Sequence, residues 1–454
     1  MSALAAAMKF MGYDVSGSDR ANDKGDFPDK FNKLRSLGIE LHLQDGTGVT
    51  EDVSLVIVSS AVEGHIPDLR AARKKGIPIL KRAQLLAGVF NEFNGIAVAG
   101  TSGKTTVTAM IGHILDVAEK DPFIVNGGVM LNYLKDIDGR AVLGNCRMGK
   151  SKWFVAETDE SDGSISYFKP KIGVLNNISL DHKPLEELKS IFLDFMNRSV
   201  DGIVINVDDK ETRHIIPKLS KKPFTVSMQS NNSDLYASNA RLEDNTTIFS
   251  LSYHHKTCTV ALPLIGRHNV YNALAAAGAC IQAGIGMDDI VKGLESFQGV
   301  QRRLQIVGKE NRITVIDDFA HNPEKIKASL RALRELGKRL IVMFQPHGYG
   351  PTAMVYEDLI ETFARELNQE DWLLMPEIYF AGGTADKSVS SKNIVHALED
   401  RGYQAKFFSL RADILHFIQR HAQKEDVIVV MGARDDSLSA FAESIYQKIK
   451  SIRV

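Results

Sequence analysis

The chain has 454 residues, of which 44% are apolar and 24% charged, with a formal net charge of −1 at pH 7. This excludes a disordered or fibrous chain, predicts about two to four domains, and leaves no global field for nucleic acid or an anionic membrane. Cys146, Cys258 and Cys280 stand too far apart for a paired zinc or disulfide framework, which points to a reducing cytoplasm, and no apolar run approaches the ~20 residues that span a bilayer.

In chain order, an amphipathic helix is expected over 1–11, ending at Gly12. In a nucleotide-binding α/β domain a strand and a glycine-rich turn precede such a helix. Here neither does, so the expected element is a truncated N-terminal Rossmann-like domain. Strands follow at 14–16, 40–43, 55–59 and 78–80, with helices between them, one over 66–75. The polar stretch 91–95 reads as a first linker.

The apolar run 96–99 leads into Gly100, Thr101, Ser102, Gly103, Lys104, Thr105 and Thr106, and these lead into the apolar pattern 107–111. A strand, a glycine-bearing turn and a helix start, in that order, grip phosphate: backbone N–H groups point at anionic oxygens. Lys104 adds positive charge for the outer phosphates, and the Thr105 hydroxyl can complete a Mg²⁺ shell. The loop is shorter than the general pattern, with Val98 where the long form has glycine. A bland turn is the competing reading, and the strand–turn–helix setting argues against it.

Further strands are expected at 153–157, 171–176 and 202–206. The first ends at Glu157 and runs into Asp159, Glu160 and Asp162. Strand ends are where open parallel sheets place ligands, so Glu157 is a candidate Mg²⁺ ligand; a solvated acidic turn is the alternative. Asn176 and Asn177 follow the next strand, with Asp181 and His182 candidates for a second cation. Residues 223–265 look like a β-rich patch, with strands at 247–253 and 257–262. A helix over 269–283 closes the block, opened by Gly266, Arg267, His268, Asn269 and Asn272, a polar density beyond what a cap needs. Gln301, Arg302 and Arg303 read either as an exposed basic linker or as a guanidinium reaching a transferred phosphate.

The third block starts near residue 302, with strands expected at 313–317, 340–344, 372–376, 405–409 and 427–431 and helices between, a doubly wound unit. Polar clusters end three of these strands: Asp317 and Asp318 with His321 and Asn322; Gln345 with His347 and Gly348; and Gly432 with Arg434, Asp435 and Asp436. An aspartate there can accept from ribose hydroxyls. Three such clusters on one sheet argue for a binding crevice.

Taken together these strings resemble the Mur ligases, the ATP-dependent amide-forming enzymes of peptidoglycan synthesis. The likeness covers nearly the whole chain in order: 1–19, 59–61, 81–83, 100–106, 157–163, 177–182, 266–272, 298–304, 317–323 and 344–347. Within the family it is nearest the branch that joins L-alanine to UDP-N-acetylmuramate, with the tripeptide-recycling branch second.

The resemblance implies an α/β fold in three domains: a uridine-nucleotide-binding-like domain over 1–90, a central ATP-binding ligase domain over 91–301 and a C-terminal Rossmann-like ligase domain over 302–454. It implies ATP and Mg²⁺, with a UDP-N-acetylmuramate-like acceptor and an amino acid as small-molecule substrates. Neither nucleic acid nor membrane is expected as a partner, and a monomer or weak homo-oligomer is. By this likeness Lys104 contacts phosphate, Thr105 and Glu157 hold one Mg²⁺, and His182 holds the second. His268, Asn269 and Asn272 line the ATP site, Asp318 takes the ribose, and Arg303 approaches the γ-phosphate. Hinges are expected near 91–95 and 299–302.

The chain departs from the pattern at Ser102, where the alanine-adding branch carries His, at Gly348, where it carries Arg, and at 432–435; the segment after His182 is also shorter. Lys189 is the candidate for the carbamylated lysine found in other Mur ligases. Two alternatives therefore stand beside alanine addition: the same chemistry on another substrate pair, and a non-catalytic nucleotide-binding protein.

Overall fold

The computed structural model describes residues 1–451 apart from 60, 61, 63, 135–142, 181, 182, 338 and 381–387. The chain forms two compact units. One comprises Met1–Ala240, Phe249–Leu262 and Val270–Gly299, the other Arg241–Ile248, Pro263–Asn269 and Val300–Val454. The second expected hinge thus falls where the chain passes from Gly299 to Val300. The first does not behave as a free linker: Phe90 is fully buried, and Asn91 is fastened to Tyr167 O at 3.0 Å and to Lys169 N at 2.9 Å.

The central sheet is built on Asn94–Ala99, a strand of almost wholly buried residues. It pairs in parallel with Trp153–Glu157 on one side and Ile172–Leu175 on the other. Beyond these lie Phe123–Val125 and Cys146–Arg147 in one direction. In the other lie Gly202–Asn206, Phe224–Ser227, Leu235–Glu243, Thr246–Tyr253 and Lys256–Leu262. Strands covered on both faces read as continuous apolar runs, which is why 153–157 and 202–206 are legible in the sequence. The hairpin between Leu235–Glu243 and Thr246–Tyr253 turns through Asp244 and Asn245, both in the left-handed region that two-residue turns need.

Phe90, Phe123 and Phe154 anchor the core below this sheet, the last two with ring centroids 4.7 Å apart. Burying a side chain of this kind contributes about 1.5–3 kcal/mol. The alanine-rich helix Ser2–Phe10 buries Ala3, Leu4, Ala6 and Ala7 in the same cluster.

The four strands nearest the N-terminus do not join one sheet. Ser16–Ser18 pairs with Glu40–His42, and Val56–Val58 pairs with Ile79–Lys81, each as a parallel pair.

The second unit is the expected doubly wound sheet. Its order is Gln305–Glu310, Ile313–Asp318, Asp426–Gly432, Arg339–Gln345, Trp372–Pro376 and Gln404–Phe408. All neighbours are parallel except Gln305–Glu310, an antiparallel edge strand that the apolar pattern did not reveal. Alternate residues serve opposite faces. Ile316, Val342, Phe344 and Val429 pack with Ile326, Leu330 and Phe363. Val315, Ile341, Met343 and Val430 pack with Ile414, Leu438 and Ile445. Helices therefore cover both faces, and the strands' C-terminal ends are left for polar residues.

Candidate functional site

In the first unit the phosphate loop is held from several sides. Gly103 adopts φ +87°, and a Cβ there would sit 2.4 Å from Asn272 Oδ1 and 2.5 Å from Asn176 Nδ2, so only glycine fits. Helix Lys104–Val117 follows, its flanks buried through Leu115. The segment after Ile172–Leu175 is laced to the loop. Ser102 N donates to Asn177 Oδ1 at 2.9 Å, and Asn177 Nδ2 donates to Ser102 O at 2.9 Å. Ser179 N donates to Thr101 Oγ1 at 3.0 Å. Asn176 Nδ2 donates to Asn272 Oδ1 at 2.9 Å, which ties the predicted Asn272 to this loop.

The acidic run after Trp153–Glu157 divides by function. Asp159 and Asp162 accept backbone N–H bonds from Ser161 and Ser164, each at 2.9 Å, and so shape the turn. Glu157 and Glu160 instead reach the phosphate loop. Thr105 Oγ1 donates to Glu157 Oε2 at 2.8 Å. Lys104 Nζ donates to Glu160 Oε1 and Oε2 at 3.0 and 2.8 Å and to Gly100 O at 2.7 Å. The structure thus brings Lys104, Thr105 and Glu157 together at the loop. Glu160 was read only as part of a cluster.

Among the described residues no group of three or more His, Cys, Asp or Glu side chains forms a metal cage. A hydroxyl and one carboxylate form the small, hard-oxygen set that Mg²⁺ takes from a protein when phosphates and water supply the rest. The Thr105–Glu157 pair fits that description. Thr106 is buried beside it. His182, with Asp181, lies outside the described residues.

Gly127 sits against this pair. A Cβ added there would lie 1.9 Å from Glu157 Oε1, the mobile end of that side chain. Gly127→Ala should therefore leave melting behaviour nearly unchanged while turning the carboxylate away from Thr105. Turnover should fall at least about tenfold, read as kcat at saturating Mg²⁺ against wild type.

Lys189, the carbamylation candidate, lies between two carboxylates. It pairs with Glu186 at 2.5 Å and Glu211 at 3.3 Å, and these hydrogen bonds raise its pKa. A carbamate forms on the neutral amine, which this pairing disfavours.

In the second unit the strand-end residues are more internally engaged than the sequence suggests. Asp318, expected to face a ribose, accepts from Leu304 N at 3.1 Å, Phe319 N at 3.0 Å and Ser329 Oγ at 2.5 Å. Three internal donors leave its carboxylate little acceptor capacity, because the fold uses it to fix the turn that follows the strand. Asp317 is 1% exposed, accepts from Ser439 Oγ at 2.6 Å and faces Arg302 at 3.4 Å. Burial raises its pKa against those partners.

The two adjacent arginines separate. Arg302 is buried and donates to Gly432 O at 2.7 Å. Both guanidinium groups lie 5.0 Å from the Phe319 ring centroid, and Arg303 is the less buried. At the start of helix Arg267–Gln282, Asn269 is buried and donates to Ile265 O at 2.8 Å, which ties the first turn to the residue before the helix. Burial lowers the His268 pKa against the pull of Asp318, which favours the neutral imidazole.

His321 donates from Nδ1 to Phe319 O at 2.8 Å, and its ring meets His347 edge-on at 5.5 Å. Burial, with Lys325, His347 and Arg303 adding to it, lowers its pKa from 6.5 to about 3. The unfolded chain takes up this proton below pH 6.5 while the folded one refuses it. Stability is therefore lost as pH falls from 6.5 toward 3. His321→Asn should flatten that acid limb in a melting-temperature series.

Models of three domains match the chain in sequence. They are the Mur ligase family catalytic domain over residues 1–94, the Mur ligase middle domain over 98–280 and the Mur ligase glutamate ligase domain over 302–434. The chain is 33% identical over 470 residues to the UDP-N-acetylmuramate–L-alanine ligase of Agrobacterium fabrum, covering 100% of this chain and 95% of that protein. It is 34% identical over 459 residues to the ligase of the same name from Geotalea daltonii, covering 99% and 96%. Among solved structures, the UDP-N-acetylmuramate-alanine ligase of Thermotoga maritima matches with TM-score 0.77 at 24% identity, over 99% of this chain and 96% of that one. A murein peptide ligase from Psychrobacter arcticus matches with TM-score 0.69 at 22% identity, over 100% and 97%. At these identities the structural likeness is one of fold. No described helix is long and apolar enough to cross a membrane.

Proposed function

Since this chain belongs to the Mur ligase family, we propose that it joins L-alanine to UDP-N-acetylmuramate in a reaction driven by ATP, as a cytoplasmic enzyme of peptidoglycan precursor synthesis acting as a monomer or weak homo-oligomer. The observation that carries the reading is the convergence of Lys104, Thr105, Glu157 and Glu160 on one phosphate loop. The domains are taken as 1–90, 91–301 and 302–454.

A carboxylate is a poor electrophile. Its oxygen attacks the γ-phosphorus, the bond to the bridging oxygen breaks, and ADP leaves with that electron pair. The amine nitrogen then attacks the carbonyl carbon of the acyl phosphate, phosphate departs, and the amine loses its proton to give the amide. Both steps build negative charge on oxygen, so fixed cations and N–H donors do most of the work. Lys104 and the loop backbone bind and orient the triphosphate. Thr105 and Glu157 would hold Mg²⁺, with His182 assigned to a second ion by resemblance, and a cation held there would supply neutralising charge to the phosphate oxygens. Resemblance also assigns His268, Asn269 and Asn272 to the nucleotide and Arg303 to the γ-phosphate, while the three internal donors on Asp318 disfavour the ribose role that the likeness implied for it.

The test is phosphate release with UDP-N-acetylmuramate, MgATP and a panel of amines. L-alanine should be preferred. Gly348 and the 432–435 turn favour a second reading, a peptide amine on the same chemistry. Preference for a peptide over free alanine would select it, and no release with any uridine-muramyl acceptor would remove both.

A further inference from the structure

We propose that Glu160 is a latch on the nucleotide site, holding the Lys104 ammonium until a triphosphate displaces it. The inference rests on the nucleotide reading above. An ammonium has three N–H donors. All three of Lys104 are spent, one on Gly100 O at 2.7 Å and two on Glu160 at 3.0 and 2.8 Å. A phosphate oxygen can bind Lys104 only by taking a place that a Glu160 oxygen or Gly100 O now holds. The Glu160 carboxylate is 5% exposed and has no other hydrogen-bond partner among the described residues. Its burial is therefore compensated by Lys104, and the lysine is drawn back whenever the site empties.

The exchange has a consequence for selectivity. A tethered carboxylate competes with every incoming anion at high effective concentration. Inorganic phosphate, with few other contacts, loses that competition. A metal-bound triphosphate, gripped also by the loop backbone and the Thr105–Glu157 pair, wins it. Glu160 is thus a positioning residue that raises the threshold for occupying the site.

A mere prop and a latch predict opposite signs for Glu160→Gln, which keeps the shape and loses the charge. If Glu160 only props Lys104, MgATP binds more weakly. If it competes for Lys104, the MgATP Kd falls about threefold to tenfold, and inhibition by inorganic phosphate strengthens by a similar factor. Calorimetric titration of the folded variant reads the sign, and an unchanged or raised Kd would overturn the latch. A second measurement needs no variant: a crystal structure of the wild-type protein with Mg²⁺ and a non-hydrolysable ATP analogue. The latch requires at least one Glu160 oxygen to have given up Nζ to a phosphate oxygen. Both oxygens still bonded to Nζ beside bound nucleotide would overturn it. Failure of the wild-type protein to bind MgATP would overturn the nucleotide reading and the latch together.

Discussion

Lys104→Ala is expected to lower kcat/KM for ATP roughly a thousandfold, about 4 kcal/mol of transition-state stabilisation. Lys104 is the first residue of helix Lys104–Val117, and the N-terminus of a helix favours an anion. Removing the lysine side chain deletes the ammonium that the loop and Glu160 hold in place. The same change strands Glu160, a buried carboxylate, at a stability cost of about 3–5 kcal/mol. The two effects separate in the double variant Lys104→Ala with Glu160→Gln. With no charge left unpaired, melting temperature should recover most of its loss while kcat/KM stays roughly a thousandfold down. Recovery of turnover in the double variant would show that Lys104 serves the fold and not the phosphates.

Glu157→Gln should cost about a hundredfold to a thousandfold in kcat and raise the Mg²⁺ concentration needed for half-maximal rate at least about tenfold. Glutamine is the informative replacement because its amide oxygen still accepts from Thr105 Oγ1, a contact of 2.8 Å in the wild-type protein. The local packing stays, and only the anionic oxygen is lost. A hard divalent cation loses far more by that change than a hydrogen bond does. A Mg²⁺ titration curve that overlays wild type would remove Glu157 from the metal site.

How much of this was legible in the sequence depended on burial. Strands 153–157, 202–206 and 372–376 could be placed to the residue because parallel strands covered on both faces are unbroken apolar runs. The three-residue strand Ser16–Ser18 carries no such run, and the expected 14–16 falls two residues short of its end. Gln305–Glu310 went unseen because its residues are half-exposed and include Gly308 and Lys309.

In the site, the phosphate loop announces itself through glycines and lysine at fixed spacing. Glu160 was separable from its neighbours by a signal that went unused. Asp159 and Asp162 each precede a serine by two positions, the pattern of an aspartate bonding the backbone two residues on. Setting those two aside leaves Glu157 and Glu160 free for the loop. Asp317 and Asp318 illustrate the opposite case. Two acids at a strand end look like a ligand-facing edge, yet Ser439, Ser329 and two backbone N–H groups from distant and adjacent positions consume them. No local pattern carries partners so far away in the chain. Arg302 and Arg303 are equally indistinguishable as letters, and only the fold sends one to the Gly432 carbonyl.

Oxygen transfer tests the central claim most directly. UDP-N-acetylmuramate labelled with ¹⁸O in its carboxylate is turned over with MgATP and L-alanine, and the released phosphate is weighed by mass spectrometry. If the carboxylate is phosphorylated before the amine attacks, each phosphate carries a single labelled oxygen from the acceptor. Unlabelled phosphate accompanying amide formation would contradict the account.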